Sequence, residues 1–215
     1  MRYLGKTAVV LLGWAWLLGA SPSRADLAGD LVHLQERWAE VNYQLEGKTQ
    51  LSAFEQLVAD AERIRVAYQN TAETLIWSGI IKSSYAGAKG GLGALGLVKA
   101  AKADLELALQ VNPAALQGSA YTSLGALYYS VPGWPIGFGD DDKAEELLKK
   151  ALVLNPDGID SNYFYGSFLL ANKRYADARH YLEKAQIAAP RPGRALADSG
   201  RQQEIAAALQ TIAGK

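Results

Sequence analysis

The chain has 215 residues, with 22 basic and 22 acidic side chains and no cysteine. The lack of cysteine excludes disulfides, a thiolate nucleophile, cysteine-held metals and a lipid anchor attached through cysteine, so the fold must be stable through its core alone. With the charge balanced, no basic stripe of the kind that marks a nucleic-acid-binding surface is visible, and no nucleic-acid partner is expected.

Arg2 and Lys6 are the only charges before Arg24, and the run from Ala8 to Ala20 between them is dominated by Ala, Val, Leu and Trp. Ser23-Arg24-Ala25 then places small residues at the positions a signal peptidase reads, so a cleaved secretory signal over residues 1–25, cut after Ala25, is the expectation. The apolar run is shorter than the roughly 20 residues a membrane span needs, and retention as an uncleaved anchor is the competing reading. No second apolar segment is long enough to span, so the mature protein is expected in the periplasm or outside the cell, with no stable membrane span after cleavage. Removing the signal takes three basic and no acidic residues and leaves a formal charge of about −3.

Residues 26–71 read as an N-terminal helical segment, with apolar periodicity over Leu27–Leu45 and Leu51–Tyr68. Helical patterns continue over Ala72–Ala86 and Leu97–Val111, broken by the glycine-rich stretch from Gly87 to Gly96. Gly91-Leu-Gly93-Ala-Leu-Gly96 matches a dinucleotide-binding pattern, but that chemistry needs a preceding strand and an acidic residue about 20 positions on. A helical pattern precedes it here and Leu116 stands at that distance, so the stretch reads as a helix–helix connection.

Three segments then align: Leu105 to Pro113, Leu148 to Pro156 and Leu182 to Pro190. Ala108, Ala151 and Ala185 correspond, and seven residues before each stand Ala101, Ala144 and Ala178. The second and third copies are 34 residues apart and the first two are 43 apart, nine more. Small residues at these positions let two helices cross closely, and the proline ends the second helix of each pair. Tyr165-Gly166, Leu169, Ala178, Leu182, Ala185 and Pro190 in the last copy, with Tyr121, Leu124-Gly125 and Tyr128 in the middle one, closely resemble tetratricopeptide repeats. The fold class expected is all-α: a helix-turn-helix solenoid of that type over residues 72–190, with a closing C-terminal helix in 191–215.

Most of the nine extra residues lie in an inserted loop at 131–141, whose prolines and glycines prevent continuous helix. Trp134 and Phe138 are expected to find cover and pin this loop. Asp140-Asp-Asp142 reads as acidic residues at the positive end of a helix rather than a cation site, and Asp142 with Glu145 as a capping box. After Pro190, Arg191-Pro-Gly193 breaks the chain and a helix from about Ala195 to Ala213 follows.

The order Pro132-Gly-Trp-Pro-x-Gly-Phe-Gly139, Asn155-Pro-Asp-Gly-Ile-Asp160, Asn162-Tyr-Phe-Tyr-Gly166, Arg191-Pro-Gly-Arg194, Asp198 and Gly200-Arg201 resembles the repeat proteins grouped with the T-component of TRAP transporters, over roughly residues 72–205. That resemblance implies an exported accessory protein acting beside a transporter's substrate-binding protein, with a central cavity in use. Many such proteins carry a lipoprotein cysteine, which this chain lacks.

The first helix of each pair lines the concave face of such an array. The register of the repeat puts Ser119, Thr122, Ala126 and Tyr129 there, with Asp160, Tyr163, Ser167 and Leu170, a surface suited to a peptide or small molecule. Arg194, Asp198 and Arg201 share one helix face, readable as an ion-pair ladder or as a recognition element for an anion or partner carboxylate. Arg191 and Arg194 flank a turn and are placed to hold it to the Trp134 loop. The candidate ligand- or partner-binding residues are therefore Thr122, Tyr129, Trp134, Phe138, Asp160, Tyr163, Ser167, Arg191, Arg194 and Arg201. No catalytic or metal residue and no cofactor is expected: His33 and His180 fall in no metal spacing and have no partner motif. Binding of a protein, peptide or small molecule is the expected role. The alternatives are an envelope-assembly scaffold or chaperone recognising peptide segments of exported proteins, or an enzyme. The apolar ends of an open solenoid offer a route to a homo-oligomer.

Overall fold

The recurring Ala-Leu-Ala positions are where the fold is tightest. Ala101, Leu105 and Ala108, then Ala144, Leu148 and Ala151, then Ala178, Leu182 and Ala185, are all fully buried. They face glycines on the preceding helices. A Cβ added at Gly79, Gly125 or Gly166 would lie 2.6, 2.7 or 2.8 Å from Cγ of Leu105, Leu148 or Leu182, and in each case 3.3 Å from the carbonyl oxygen of the matching alanine. Three helix pairs thus cross with one geometry, each possible only because neither side chain is larger.

The computed structural model describes residues 24–215, so the expected signal segment lies outside the described residues except for its last two positions. Nine α-helices form among those residues: α1 (Arg24–Tyr43), α2 (Gly47–Ala67), α3 (Ala72–Lys89), α4 (Leu95–Val111), α5 (Ser119–Ser130), α6 (Asp141–Leu154), α7 (Ile159–Ala171), α8 (Tyr175–Gln186) and α9 (Ala195–Ala213). Single 3-10 turns at Leu92–Ala94 and Ala115–Gly118 join α3 to α4 and α4 to α5, and no strand is present among the described residues. None of these helices is long and apolar enough to cross a membrane. The chain is an all-α helix-turn-helix solenoid with a closing C-terminal helix.

Consecutive helices pack as antiparallel neighbours, and the odd-numbered ones also touch each other in sequence: α1 with α3, α3 with α5, α5 with α7, α7 with α9. Helix α9 then packs against α1, so the inner helices form a closed ring with α2, α4, α6 and α8 outside it. This corrects the expectation of an open array with free apolar ends. The contact is tight, since a Cβ at Gly200 of α9 would lie 2.4 Å from ring atoms of Tyr43 in α1. Ala197 of α9 is buried in the apolar cluster of Leu34, Trp38 and Phe54 at the start of the chain, while Ile212, near the other end of α9, joins Leu148, Leu169 and Leu182.

The 131–141 insertion is a compact loop, but only one of its aromatics is covered. Phe138 meets Tyr128 edge-to-face with ring centroids 5.4 Å apart, and the Lys102 ammonium lies 5.7 Å from the Phe138 ring centroid. Trp134 at the tip is 90% exposed, which corrects the expectation that it pins the loop. The reason is steric. The loop interior is filled by backbone, with Gly139 N donating to Pro132 O and Asp140 N to Tyr128 O, and a Cβ at Gly139 would come within 1.9 Å of the Val131 carbonyl oxygen. The helix restart is also corrected. Asp140 is the N-cap, its Oδ1 accepting from Lys143 N at 2.9 Å, and the Asp142–Glu145 capping box does not form. Glu145 instead accepts from Lys149, Arg174 and Tyr165, and hydrogen bonds from Lys149 and then Arg174 push its carboxyl down to about 2.

One buried charge cluster lies between α2, α3 and α4. The Lys82 ammonium donates to Glu62 and, at 2.5 Å, to Oδ2 of Asp104, which also accepts from the Ser78 hydroxyl at 2.8 Å. Removing one partner of a buried pair strands the others. Lys82→Met is therefore expected to cost about 3 kcal/mol in a denaturant titration. Gly166→Val should cost about 1–3 kcal/mol through overpacking against Leu182. Gly29→Ala, at an exposed mid-helix position with nothing within 4 Å of the new Cβ, should instead stabilise by about 0.5–1 kcal/mol.

Candidate functional site

The ring of inner helices surrounds a cavity of about 880 Å³. Each helix contributes the face it turns away from its outer partner. Gln35, Trp38 and Asn42 come from α1, and Trp77, Ile80, Ser84 and Gly87 from α3. Ser119, Thr122, Ser123, Ala126 and Ser130 come from α5, Asp160, Tyr163 and Phe164 from α7, and Arg201 and Glu204 from α9, with Arg191 and Arg194 just before it. In each helix these residues recur at three- and four-residue intervals, which puts them on one face.

Of the residues singled out from sequence, Thr122, Asp160, Tyr163, Arg191, Arg194 and Arg201 line this cavity, as do Ser119 and Ala126. Tyr129, Ser167 and Leu170 are not among the lining residues. Tyr129 packs its ring against Phe168 of α7, with centroids 5.9 Å apart, and so helps join two inner helices. Trp134 and Phe138 belong to the loop on the outside. The lining residues that the repeat register did not supply include all those of α1 and α3, with Ser123 and Ser130 of α5, Phe164 of α7 and Glu204 of α9. On α3 the signal was present as the spacing 77, 80, 84, 87, but this helix precedes the aligned copies that set the register.

Part of the cavity wall is strained. Leu116, Gln117 and Gly118 are three successive residues in the left-handed region, with φ of 46°, 55° and 78°. For non-glycine residues that conformation costs about 1–2 kcal/mol each. Offsetting contacts come from the Leu116 side chain, which packs into the apolar clusters on both sides of it, and from Asn155 Nδ2, which donates to Gln117 Oε1 at 3.1 Å. This turn lies in the α4–α5 connection, which is three residues longer than the α6–α7 one.

The charged side of the cavity is a network across α7 and α9. Asp160 accepts from two arginines: Arg201 Nε on Oδ1 at 2.8 Å, and Arg191 on Oδ2 at 2.5 Å. Arg191 also donates from Nε to Asp198 Oδ1 at 2.7 Å, and its backbone N–H donates to Asp198 Oδ2 at 2.7 Å. Arg201 donates as well to Glu204, and its guanidinium lies 4.3 Å from the Tyr163 ring centroid and 4.6 Å from that of Phe164. The predicted ladder along α9 is corrected: Asp198 turns back to Arg191, and Arg201 turns across to α7. The turn is likewise held to Asp160 rather than to the Trp134 loop. Arg194 lies over the Trp77 indole, 5.1 Å from its centroid, near enough to Asp160 for its charge to help lower that carboxyl.

Burial by itself would raise the Asp160 carboxyl, and the charges of Arg201 and Arg191 more than reverse this, leaving it below its ordinary value. Burial raises the Glu204 carboxyl despite Arg201 beside it. Burial also pushes the Tyr43 hydroxyl up to about 12. These groups hold α9 to α7 and α1, so one carboxylate organises the closure of the ring.

The other sequence motifs lie away from this network. Gly91 to Gly96 spans the 3-10 turn after α3 and the first two residues of α4, with a helix rather than a strand before it. His33 and His180 are both exposed. Among the described residues no three His, Asp or Glu side chains converge as metal ligands would.

Asp160→Asn removes the partner of nearly buried Arg201 and should cost about 3 kcal/mol, a fall of roughly 10 °C in Tm for a chain of this size. Because the folded carboxyl is lowered, its contribution is complete above the unfolded value of about 3.9 and is lost as pH falls through the lowered folded value. The difference in Tm between the two proteins should therefore shrink in acid, as read by thermal unfolding from pH 7 downward.

Compared with known protein families and with curated proteins, the chain matches none.

Proposed function

We propose that the protein is an exported binding protein of the bacterial envelope, built on tetratricopeptide-type repeats, that takes a small molecule into its central cavity. In this reading it acts as an accessory to the substrate-binding protein of a TRAP-type transporter. The observation that carries it is the cavity itself. At about 880 Å³ it lies within the range that takes drug-sized ligands. Its wall combines aromatic surface from Trp38, Trp77, Tyr163 and Phe164 with hydroxyls from Ser84, Thr122 and Ser123 and one charged side. Apolar area with a few polar groups is the composition by which such sites hold and orient a ligand. Binding is the role this wall supports, since its aromatic surface and hydroxyls suit holding and orienting a ligand.

A second reading, a scaffold for peptide segments of exported proteins, draws on the outer loop. Trp134 and Ile136 are 90% and 57% exposed beside one another, the kind of aromatic anchor that protein contacts use.

Native mass spectrometry of the protein purified gently from its own envelope separates the two. A retained small molecule, absent from a folded Ser123→Phe variant that fills part of the cavity, is the expected result. A species with no added mass, or retention unaffected by Ser123→Phe, counts against it. Trp134→Ala should leave stability within about 0.5 kcal/mol, and loss of a stoichiometric protein partner in that variant would favour the scaffold reading.

A further inference from the structure

The 131–141 loop turns its two aromatic residues in opposite directions. Phe138 is held against Tyr128 and Lys102, while Trp134, Pro135 and Ile136 follow one another at the tip, all exposed. Three consecutive apolar residues open to water do nothing for a folded monomer. The loop does not need them to keep its shape. Ile136 N and Gly137 N both donate to Gly133 O, at 3.2 and 3.1 Å, and Gly139 N donates to Pro132 O at 3.0 Å. Its interior has no room for a further side chain, since a Cβ at Gly137 would lie 2.5 Å from the Pro132 carbonyl oxygen and 2.7 Å from Val131 Cγ1. Trp134 is presented outward on a fixed support.

Charge beside the tip selects what can cover it. Asp140, Asp141 and Asp142 follow the loop directly and are all exposed. Asp140 caps α6. Asp141 and Asp142 have no hydrogen bond or ion pair among the described residues. The lysines of this region are already matched, Lys143 by Glu146 at 2.9 Å and Lys102 by Glu106 at 2.6 Å. The apolar tip therefore has a negative flank. A second copy meeting it loop to loop would bring two aspartate triads together, which like charge disfavours. An anionic lipid surface repels the same charges. An extended peptide needs a groove to lie in, whereas this tip projects and needs a pocket, which a folded partner supplies.

We propose that the Trp134–Ile136 tip is a docking knob for a folded protein whose surface offers an apolar pocket edged by lysine or arginine. Trp134 fills the pocket, Ile136 packs at its lip, and Asp141 and Asp142 face the basic edge. A loop already fixed by its own backbone loses little conformational freedom on docking, and a Trp buried in a partner's pocket is among the residues that dominate contact energy. The aspartates speed the encounter and set its orientation. The knob lies outside the ring, so this contact does not depend on what the cavity holds. It differs from the recognition of peptide segments in that the partner must be folded.

The test is photo-crosslinking in the native cells, with p-benzoylphenylalanine placed in the full chain at Trp134 and, as a control, at exposed Lys99. One protein should be joined through position 134 and not through 99, at a segment holding Lys or Arg beside apolar residues. That protein, purified, should bind the parent chain. Trp134→Ala should weaken binding about tenfold or more. The double variant Asp141→Asn/Asp142→Asn should weaken it several-fold at low salt, a difference that disappears at roughly 0.5 M salt. Both variants should melt with the parent, which separates lost docking from lost folding. The proposal is overturned by adducts only with a second copy of this chain, with lipid or with no protein, or with many proteins equally. It is also overturned if the partner binds Trp134→Ala as tightly as the parent, or binds the double variant unchanged at low salt. Equal binding by a short synthetic peptide of the joined segment would overturn the folded pocket and favour the recognition of peptide segments.

Discussion

Two helices can approach only as closely as the side chains between them permit, and this limit sets the form of the whole molecule. At Gly79, Gly125 and Gly166 the limit is the glycine itself, pressed against a leucine and an alanine carbonyl of the following helix. Because the three crossings share one geometry, each pair adds a similar turn to the array. The inner helices therefore curve steadily, until α9 reaches α1. A bulkier residue at one crossing would change the angle there, and the error would be carried to the place where the ring closes.

Closure depends on a second set of constraints, and these are polar. Gly200 admits the Tyr43 ring, which brings α9 against α1. Asp160 then binds Arg191 and Arg201 from α7, one just before α9 and one within it. Arg201 is 7% exposed and is covered by Tyr163 and Phe164, so its charge is held in an environment where an unpaired cation would be expensive. The pair contributes little net stability as a pair, but it penalises every arrangement in which α9 lies elsewhere. Its role is to select one docking of the last helix from among several that apolar packing alone would allow.

The cavity follows from both. Curvature supplies the space and closure encloses it. The lining is neither a continuous apolar core nor an ordinary surface, because each inner helix buries one face against its outer partner and turns a different one inward. On α5 the inward face is almost entirely small: Ser119, Thr122, Ser123, Ala126 and Ser130. Large residues there would fill the volume that the ring creates. The aromatic groups come instead from α1, α3 and α7, so one wall is hydroxylated and another apolar. The left-handed turn at Leu116–Gly118 and Arg194 both border this space.

Much of the fold was legible from sequence because its signals are local. Helix spacing, small residues at helix crossings and prolines at helix ends act within a few residues of one another, and the C-terminal helix falls at Ala195–Ala213 as its pattern indicates. The inward positions on α5 and α7 came from the register of the tetratricopeptide repeat that the chain resembles, which found Thr122, Asp160 and Tyr163 but also named Tyr129, Ser167 and Leu170, which do not line the cavity. The α3 face was not found, since Gly79 stands outside the aligned copies and only its contact with Leu105 identifies it. Trp134 was misjudged because backbone, not side chains, fills the loop it tops. The charged residues show the division most plainly. That Arg191, Arg194, Asp198 and Arg201 lie near one another is a matter of chain spacing and was evident at once. Which of them pair was decided by Asp160, 31 residues before Arg191 and 41 before Arg201, and brought there by the curvature of the repeats. Sequence by itself determined the helices and their stacking, because hydrogen bonds and side-chain periodicity within a helix are short-range. Only the tertiary structure decided the ring, its cavity and which arginines Asp160 holds, because those depend on where distant segments meet.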